Sequence, residues 1–329
     1  MMQISPETQL FIREHSSDDV RVLALQAKKY PDIDMPTAIT QIAGRKVAAE
    51  KIPSWWEIEK IWYPKHLSLE QCSSEITARY KARLLQGDSL TDLTGGFGID
   101  CSFLATGFKS ATYVERQEEL CEIAAHNFPV LNLNHINIKN EDGVTYLQAM
   151  SPVDCLFLDP ARRNEHGGKT VAISDCEPNV AELEELLLQK ANRVMIKLSP
   201  MLDLSLALKE LKQTQEVHIL SVNNECKELL ILLGQTSPTE ISIHCVNLST
   251  KGTQEEQHFV FTREQEQCSE CTYTDSLETY LYEPNASLLK AGAFRSIAAA
   301  YPVRKLHPNS HLYTCLLYTS DAADEARSV

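Results

Sequence analysis

Residues 89–100 read SLTDLTGGFGID, a polar turn, then Asp92 and then Gly95, Gly96 and Gly98 in close succession. No other stretch restricts the fold so sharply. Glycine supplies positive φ and a missing Cβ, which a chain needs where a strand turns tightly into a helix and a ligand must approach the backbone. Such a turn belongs to an open parallel sheet, in which ligands bind beyond the carboxyl ends of the strands.

The rest of the chain agrees. SLTDLTG, SATYVER, INIKNED, VDCLFLDP, NRVMIKLSP, VHILSVNN and ELLILLG read as strands, and QEELCEIAAHNF, VAELEELLLQ and LSLALKELK read as helices between them. That alternation predicts right-handed crossovers and an α/β, doubly wound, mainly parallel Rossmann-like sheet. The last two strands follow too closely for a helix, so the final one should return antiparallel. Residues 1–66 predict a helical N-terminal region whose Trp55, Trp56 and Trp62 form a packing surface. LSLEQCSSEITARYKARLL predicts one helix, with Ser68 and Gln71 as a capping box, leading into the glycine turn. The main domain then spans residues 67–235, and residues 236–314 predict a small α+β accessory region containing a hairpin and a helix, NASLLKAGAFRSIAAAYPV. The closing CLLYTSDAADEARSV, residues 315–329, continues neither pattern and resembles translated adapter sequence. It is expected to be a non-native tail, which would leave the accessory region truncated.

Two nucleotide cofactors compete for the turn. A dinucleotide fingerprint counted from Gly96 has Gly98 but then Cys101 where a third glycine is needed. S-adenosylmethionine carries an ammonium, a ribose diol and an adenine, and so calls for carboxylates around the glycines. Asp92 enters the turn and can meet the ammonium, while Thr94, Gly95, Gly96 and Gly98 let the backbone pass beneath the nucleoside. Glu115 ends the second strand about twenty residues after Gly95, where a ribose-binding acid belongs. Asp142 ends the third and can accept from the adenine amino group.

The fourth strand ends in Asp159-Pro160-Ala161-Arg162. Together with DLTGGFGID and YVER, this resembles the class I S-adenosylmethionine-dependent methyltransferases over residues 68–235. EPNASLLKAGAFRSIAAAYPVRKLHPNSHLYT narrows the resemblance to bacterial methyltransferases with a ferredoxin-like segment and a THUMP-like domain at the C-terminus. The resemblance implies an RNA substrate, tRNA or rRNA. In amino-methylating relatives the corresponding motif is Asp/Asn-Pro-Pro followed by an aromatic residue, so Ala161 and Arg162 depart from the pattern and leave the acceptor atom open. Asp159 is the expected catalytic residue, orienting the acceptor. Pro160, Arg162 and Arg163 are expected at the substrate, the arginines in a loop with Gly167, Gly168 and Lys169. Lys81, Asp159, Lys197 and Glu225 also fall in the order of the tetrad of ribose 2′-hydroxyl methyltransferases, an order attributed here to chance. Arg304 and Lys305 add positive charge to the accessory region.

The net charge of −14 argues against a surface that grips nucleic acid as a whole, though not against a local basic patch. It leaves open methylation of a small molecule or protein, or a non-catalytic RNA-binding role. Ten cysteines scattered through apolar stretches read as reduced core residues of a cytoplasmic protein. Cys268 and Cys271 form one close pair without a second, and no metal is expected. No run approaches the ~18 apolar residues of a membrane span.

Overall fold

The computed structural model describes residues 4–162, 172–236, 238–250 and 256–316. Contacts divide the chain into two compact units, residues 1–157 and 158–329.

The first unit opens with four helices, α1 (Pro6–Glu14), α2 (Val20–Leu25), α3 (Met35–Lys51) and α4 (Pro53–Trp56). Ser5, Asp19 and Asp34 cap the first three by accepting from Thr8, Arg21 and Thr37 backbone N–H groups. Phe11, Leu23, Met35, Ala38 and Ile42 close their shared core. Trp55 is buried with Ile99, Leu120 and Ile123, its ring edge-on to Phe97 of the glycine turn at 5.2 Å between centroids. Trp62 stacks on His126 at 3.7 Å, and Arg45 lies over the exposed Trp56. Trp55 and Trp62 are thus packing residues, and Trp55 seats the turn.

The single helix expected over residues 67–85 is two: α5 (His66–Gln71) and α6 (Glu75–Ala82), with Cys72 extended between them. Ser73 explains the break. Its hydroxyl donates to Asp100 and accepts from Lys81, at 2.7 and 2.8 Å, which holds the backbone off the helical path. Ser68 and Gln71 therefore do not open a helix as a capping box.

Then β1 (Ser89–Asp92), α7 (Ile99–Ala105), β2 (Ser110–Glu115), α8 (Glu118–Val130), β3 (Ile136–Asn140), α9 (Gly143–Ala149) and β4 (Val153–Leu158) alternate as expected. The four strands pair in parallel in the order β4-β1-β2-β3.

In the second unit a two-strand ribbon, β5 (Ala161–Arg162) with β6 (Cys176–Glu177), precedes α10 (Val180–Lys190), β7 (Ala191–Leu198) and α11 (Leu204–Glu210). Next come β8 (Thr214–Val222) and β9 (Glu225–Gly234), and β9 runs antiparallel to both β7 and β8. Asn223 and Asn224 join them with φ of 49° and 63°. Two successive positive φ angles make a tight primed turn whose twist matches the flanking strands, and asparagine tolerates them.

The hairpin that the sequence assigned to the accessory region, β10 (Ser242–Leu248) with β11 (Glu256–Thr262), instead extends this sheet, because β10 pairs in parallel with β8. Burial gives the reason: Cys245, Val246, Asn247 and Leu248 are consecutive buried residues, and β8 would otherwise present an open edge. Beyond it lie α12 (Arg263–Cys268), β12 (Tyr280–Tyr282), α13 (Ala286–Ala291), α14 (Phe294–Ala300), β13 (Arg304–Lys305) and β14 (Tyr313–Cys315). The last three strands form an antiparallel sheet in the order β12-β14-β13. Gly292, at φ 74°, divides the expected helix into α13 and α14. No described helix is long and apolar enough to cross a membrane.

Candidate cofactor and acceptor sites

The glycine turn is pinned by the strands on both sides of β1. Leu93 N–H donates to the Phe157 carbonyl of β4 at 3.0 Å, and Gly95 N–H to the Val114 carbonyl of β2 at 2.8 Å. Gly95 has no space for a side chain, since a Cβ there would stand 2.3 Å from the Tyr113 ring. Gly96 and Gly98 have φ of 55° and 87°, and Gly98 caps α7. The Tyr113 hydroxyl donates to the Gly96 carbonyl at 2.5 Å; burial, with Glu115 nearby, holds its pKa well above the ordinary phenol value. On the other side of Gly96 the ground is open: a methyl group added there would find its nearest neighbour, the Thr94 carbonyl, at 3.7 Å.

The carboxylates stand around that open ground. Asp92 is buried, and its Oδ1 accepts from Thr94 N–H at 3.0 Å, with Thr94 Oγ1 3.5 Å away. Glu115, 8% exposed, accepts from Gly96 N–H through Oε2 and from Gln117 N–H through Oε1, each at 2.8 Å. A carboxylate has about four lone-pair sites, so both oxygens can still accept hydroxyls. Asp142 is exposed and caps α9, its Oδ1 accepting from Val144 and Thr145 N–H groups at 3.1 and 3.0 Å. Gly143 beside it must be glycine, because a Cβ there would meet the Leu93 carbonyl at 2.2 Å. The start of α9 therefore packs on the β1 turn.

In the second unit Asp159, the first residue after β4, pairs with Lys197 Nζ at 2.5 Å. Lys197 is 8% exposed on β7. Glu228, also buried, lies on the same face: Lys197 is opposite Leu230 in the β7–β9 register, and Glu228 is two residues from Leu230. Sequence reasoning gave Glu228 no role. Its only signal, an acid inside the apolar ELLILLG strand, acquires meaning from the register. Of the tetrad-like residues, Asp159 and Lys197 meet. Glu225 pairs with Lys227, and Lys81 is fully buried against Asp100 at 2.9 Å. Pro160 is buried. The side chain of Arg162, and Arg163, Gly167, Gly168 and Lys169, lie outside the described residues.

A solved structure from Porphyromonas gingivalis W83, described as a "putative methyltransferase", matches 98% of this chain and 81% of its own at 34% identity and a TM-score of 0.84. The chain belongs to this family of class I S-adenosylmethionine-dependent methyltransferases. A family model described as a ferredoxin-like domain matches residues 280–325 of the methyltransferase, beginning at β12 and passing through β14. Two further solved structures are much less similar. One, described as "a modification subunit of a putative type I restriction enzyme" from Vibrio vulnificus YJ016, covers 61% of this chain and 56% of that one at 12% identity and TM-score 0.41. The other, from Streptococcus mutans in complex with SAH, covers 49% and 96% at 13% and 0.35. No curated protein matches.

The methyltransferase's donor fits the turn on geometric grounds: positive φ at Gly96 and Gly98, open ground above Gly96, and carboxylates at the ends of β1 and β2 and at the cap of α9. In the accessory region, Lys305 is 5% exposed, donates to the Pro308 carbonyl and lies over the Phe294 ring, while Arg304 pairs with Glu278. Both cations named by the sequence are thus engaged within the methyltransferase's own fold.

Proposed function

We propose that this methyltransferase modifies RNA, tRNA or rRNA, by direct displacement at the donor methyl. S-adenosylmethionine supplies an electrophilic methyl group on a sulfonium. Asp92 takes the donor's ammonium, Glu115 its ribose hydroxyls, and the second oxygen of Asp142 its adenine amino group, while Thr94 and the three glycines form the floor. Asp159, with Pro160 fixing the backbone after it, accepts a hydrogen bond from the N–H or O–H of the acceptor, turns its lone pair toward the methyl and helps the proton leave. The observation that carries this reading is the Asp159–Lys197 pair: the charge-assisted contact with the lysine holds the carboxylate in one orientation. Holding acceptor and methyl in line can supply up to roughly 7–11 kcal/mol of the barrier reduction, with water excluded.

RNA is supported by the ferredoxin-like match at residues 280–325 together with the resemblance to THUMP-bearing enzymes. Arg162 and Arg163 would contact its phosphates. All ten cysteines are free thiols, in keeping with the cytoplasm. The net charge of −14 and the missing aromatic residue after Asp159-Pro160 favour a second reading, methylation of a protein or small metabolite.

Incubation with methyl-labelled donor and separate undermethylated RNA, protein and metabolite fractions tests the assignment. Label should enter RNA, and Asp159→Ala should lower turnover by roughly a hundredfold or more with donor affinity unchanged. Label confined to protein or metabolites would replace RNA as the substrate. Retained donor and RNA binding without transfer to any fraction would favour a binding protein.

A further inference from the structure

Away from the glycine turn and Asp159, three histidines gather where β8, β10 and β11 run side by side. His218 and His244 oppose each other directly in the parallel β8–β10 register, their rings stacked at 4.2 Å and 14°. Glu216, two residues before His218, shares its face of β8 and brings Oε2 to 3.3 Å from His218 Nε2. One ligand atom from each of Glu216, His218 and His244 lies within 4.8 Å of the other two. His258 of β11 adds Nε2 at 3.0 Å from His244 Nδ1.

We propose that Glu216, His218 and His244 bind a divalent transition-metal ion, zinc on the strength of this donor set, and that the ion fastens β10 to β8. Two imidazoles and a carboxylate are a set that zinc accepts, with water completing four-coordination. Metal–nitrogen distances of roughly 2.0–2.1 Å require the donors to close in on one another, a movement that falls to Glu216 and His244, which are only partly buried. Supporting contacts are present. Arg193 holds Glu216 Oε1 at 3.0 Å and leaves Oε2 toward the histidines, and His258 steadies the His244 ring. A hydrogen bond accounts for Glu216 with His218, and ring stacking for His218 with His244; a cation accounts for three donor atoms within 4.8 Å of one another. His218 is 2% exposed, so its position is fixed by packing on the sheet. The site concerns the sheet that carries the hairpin, and it stands independently of the substrate.

Calorimetric titration of the untagged, chelator-treated full chain with zinc chloride tests the site, with thermal unfolding measured in parallel. One equivalent should bind and raise the melting temperature. His244→Gln and Glu216→Gln, each checked for native circular dichroism, should weaken binding by at least about tenfold. Cys268→Ser/Cys271→Ser should leave it unchanged. Absence of saturable one-to-one binding would overturn the proposal. So would binding that persists in folded His244→Gln and disappears in the cysteine variant.

Discussion

Gly95 and Gly96 are neighbours with different duties. A methyl at Gly95 would meet the Tyr113 ring at 2.3 Å, whereas one at Gly96 would face open ground in a backbone held at φ 55°. Gly95→Ala should therefore act on stability, by about 1–3 kcal/mol of overpacking, read as a lower urea midpoint. Gly96→Ala should cost roughly 1–2 kcal/mol for its left-handed backbone and also weaken donor binding by calorimetry, because its methyl occupies the approach to the nucleoside. Unchanged donor affinity in a folded Gly96→Ala protein would mean that the open side of the turn is not the binding side. Sequence alone marked both positions as special. It could not distinguish them, because the Tyr113 ring reaches the turn from the neighbouring strand.

At the scale of elements, α6 and α7 are joined by a buried network. Lys81 of α6 is fully buried, pairs with Asp100 of α7 at 2.9 Å and donates to Ser73, which itself donates to Asp100 at 2.7 Å. Asp100 follows Gly98 by two residues, so this network anchors the helix that the turn begins. Lys81→Met should destabilise by about 3–5 kcal/mol, because it leaves a carboxylate buried without its cation. Adding Asp100→Asn should restore part of that loss in denaturant titrations, since the charge left behind is then removed. Losses that simply add would show that the two side chains do not depend on each other. The sequence placed Lys81 on a helix beside Arg79 and Arg83 and left its partner unknown, because an ion pair across helices has no fixed spacing along the chain.

For the whole molecule, the backbone hydrogen bonds and carboxylates that shape the glycine turn come from residues 89–157 and Trp55 packs on its Phe97, while the C-terminal sheet depends on β14. Thr314 Oγ1 donates to the Tyr280 carbonyl and accepts from Glu278 N–H, and β14 pairs with both β12 and β13. The expected non-native tail is described only as far as Leu316, and the ferredoxin-like match runs to residue 325. A chain ending at Leu316 should bind S-adenosylmethionine as the full chain does. One ending at Leu312 loses the central strand of that sheet and should melt lower, by roughly 2–4 °C for each kcal/mol lost. Equal melting of the two shortened chains would show that β14 adds nothing to stability.

The sequence by itself determined the alternating strands and helices, the turn at Gly95–Gly98 and the carboxylates at successive strand ends, because periodicity and glycine spacing are local properties written along the chain. Tertiary structure alone decided that Ser73 breaks a helix, that the Ser242–Thr262 hairpin joins the sheet and not the accessory region, that Asp159 takes Lys197 as its partner, and that His218 meets His244. Each of these depends on register and burial between segments distant in sequence. A strand's pattern says which side it buries, and only packing says against what.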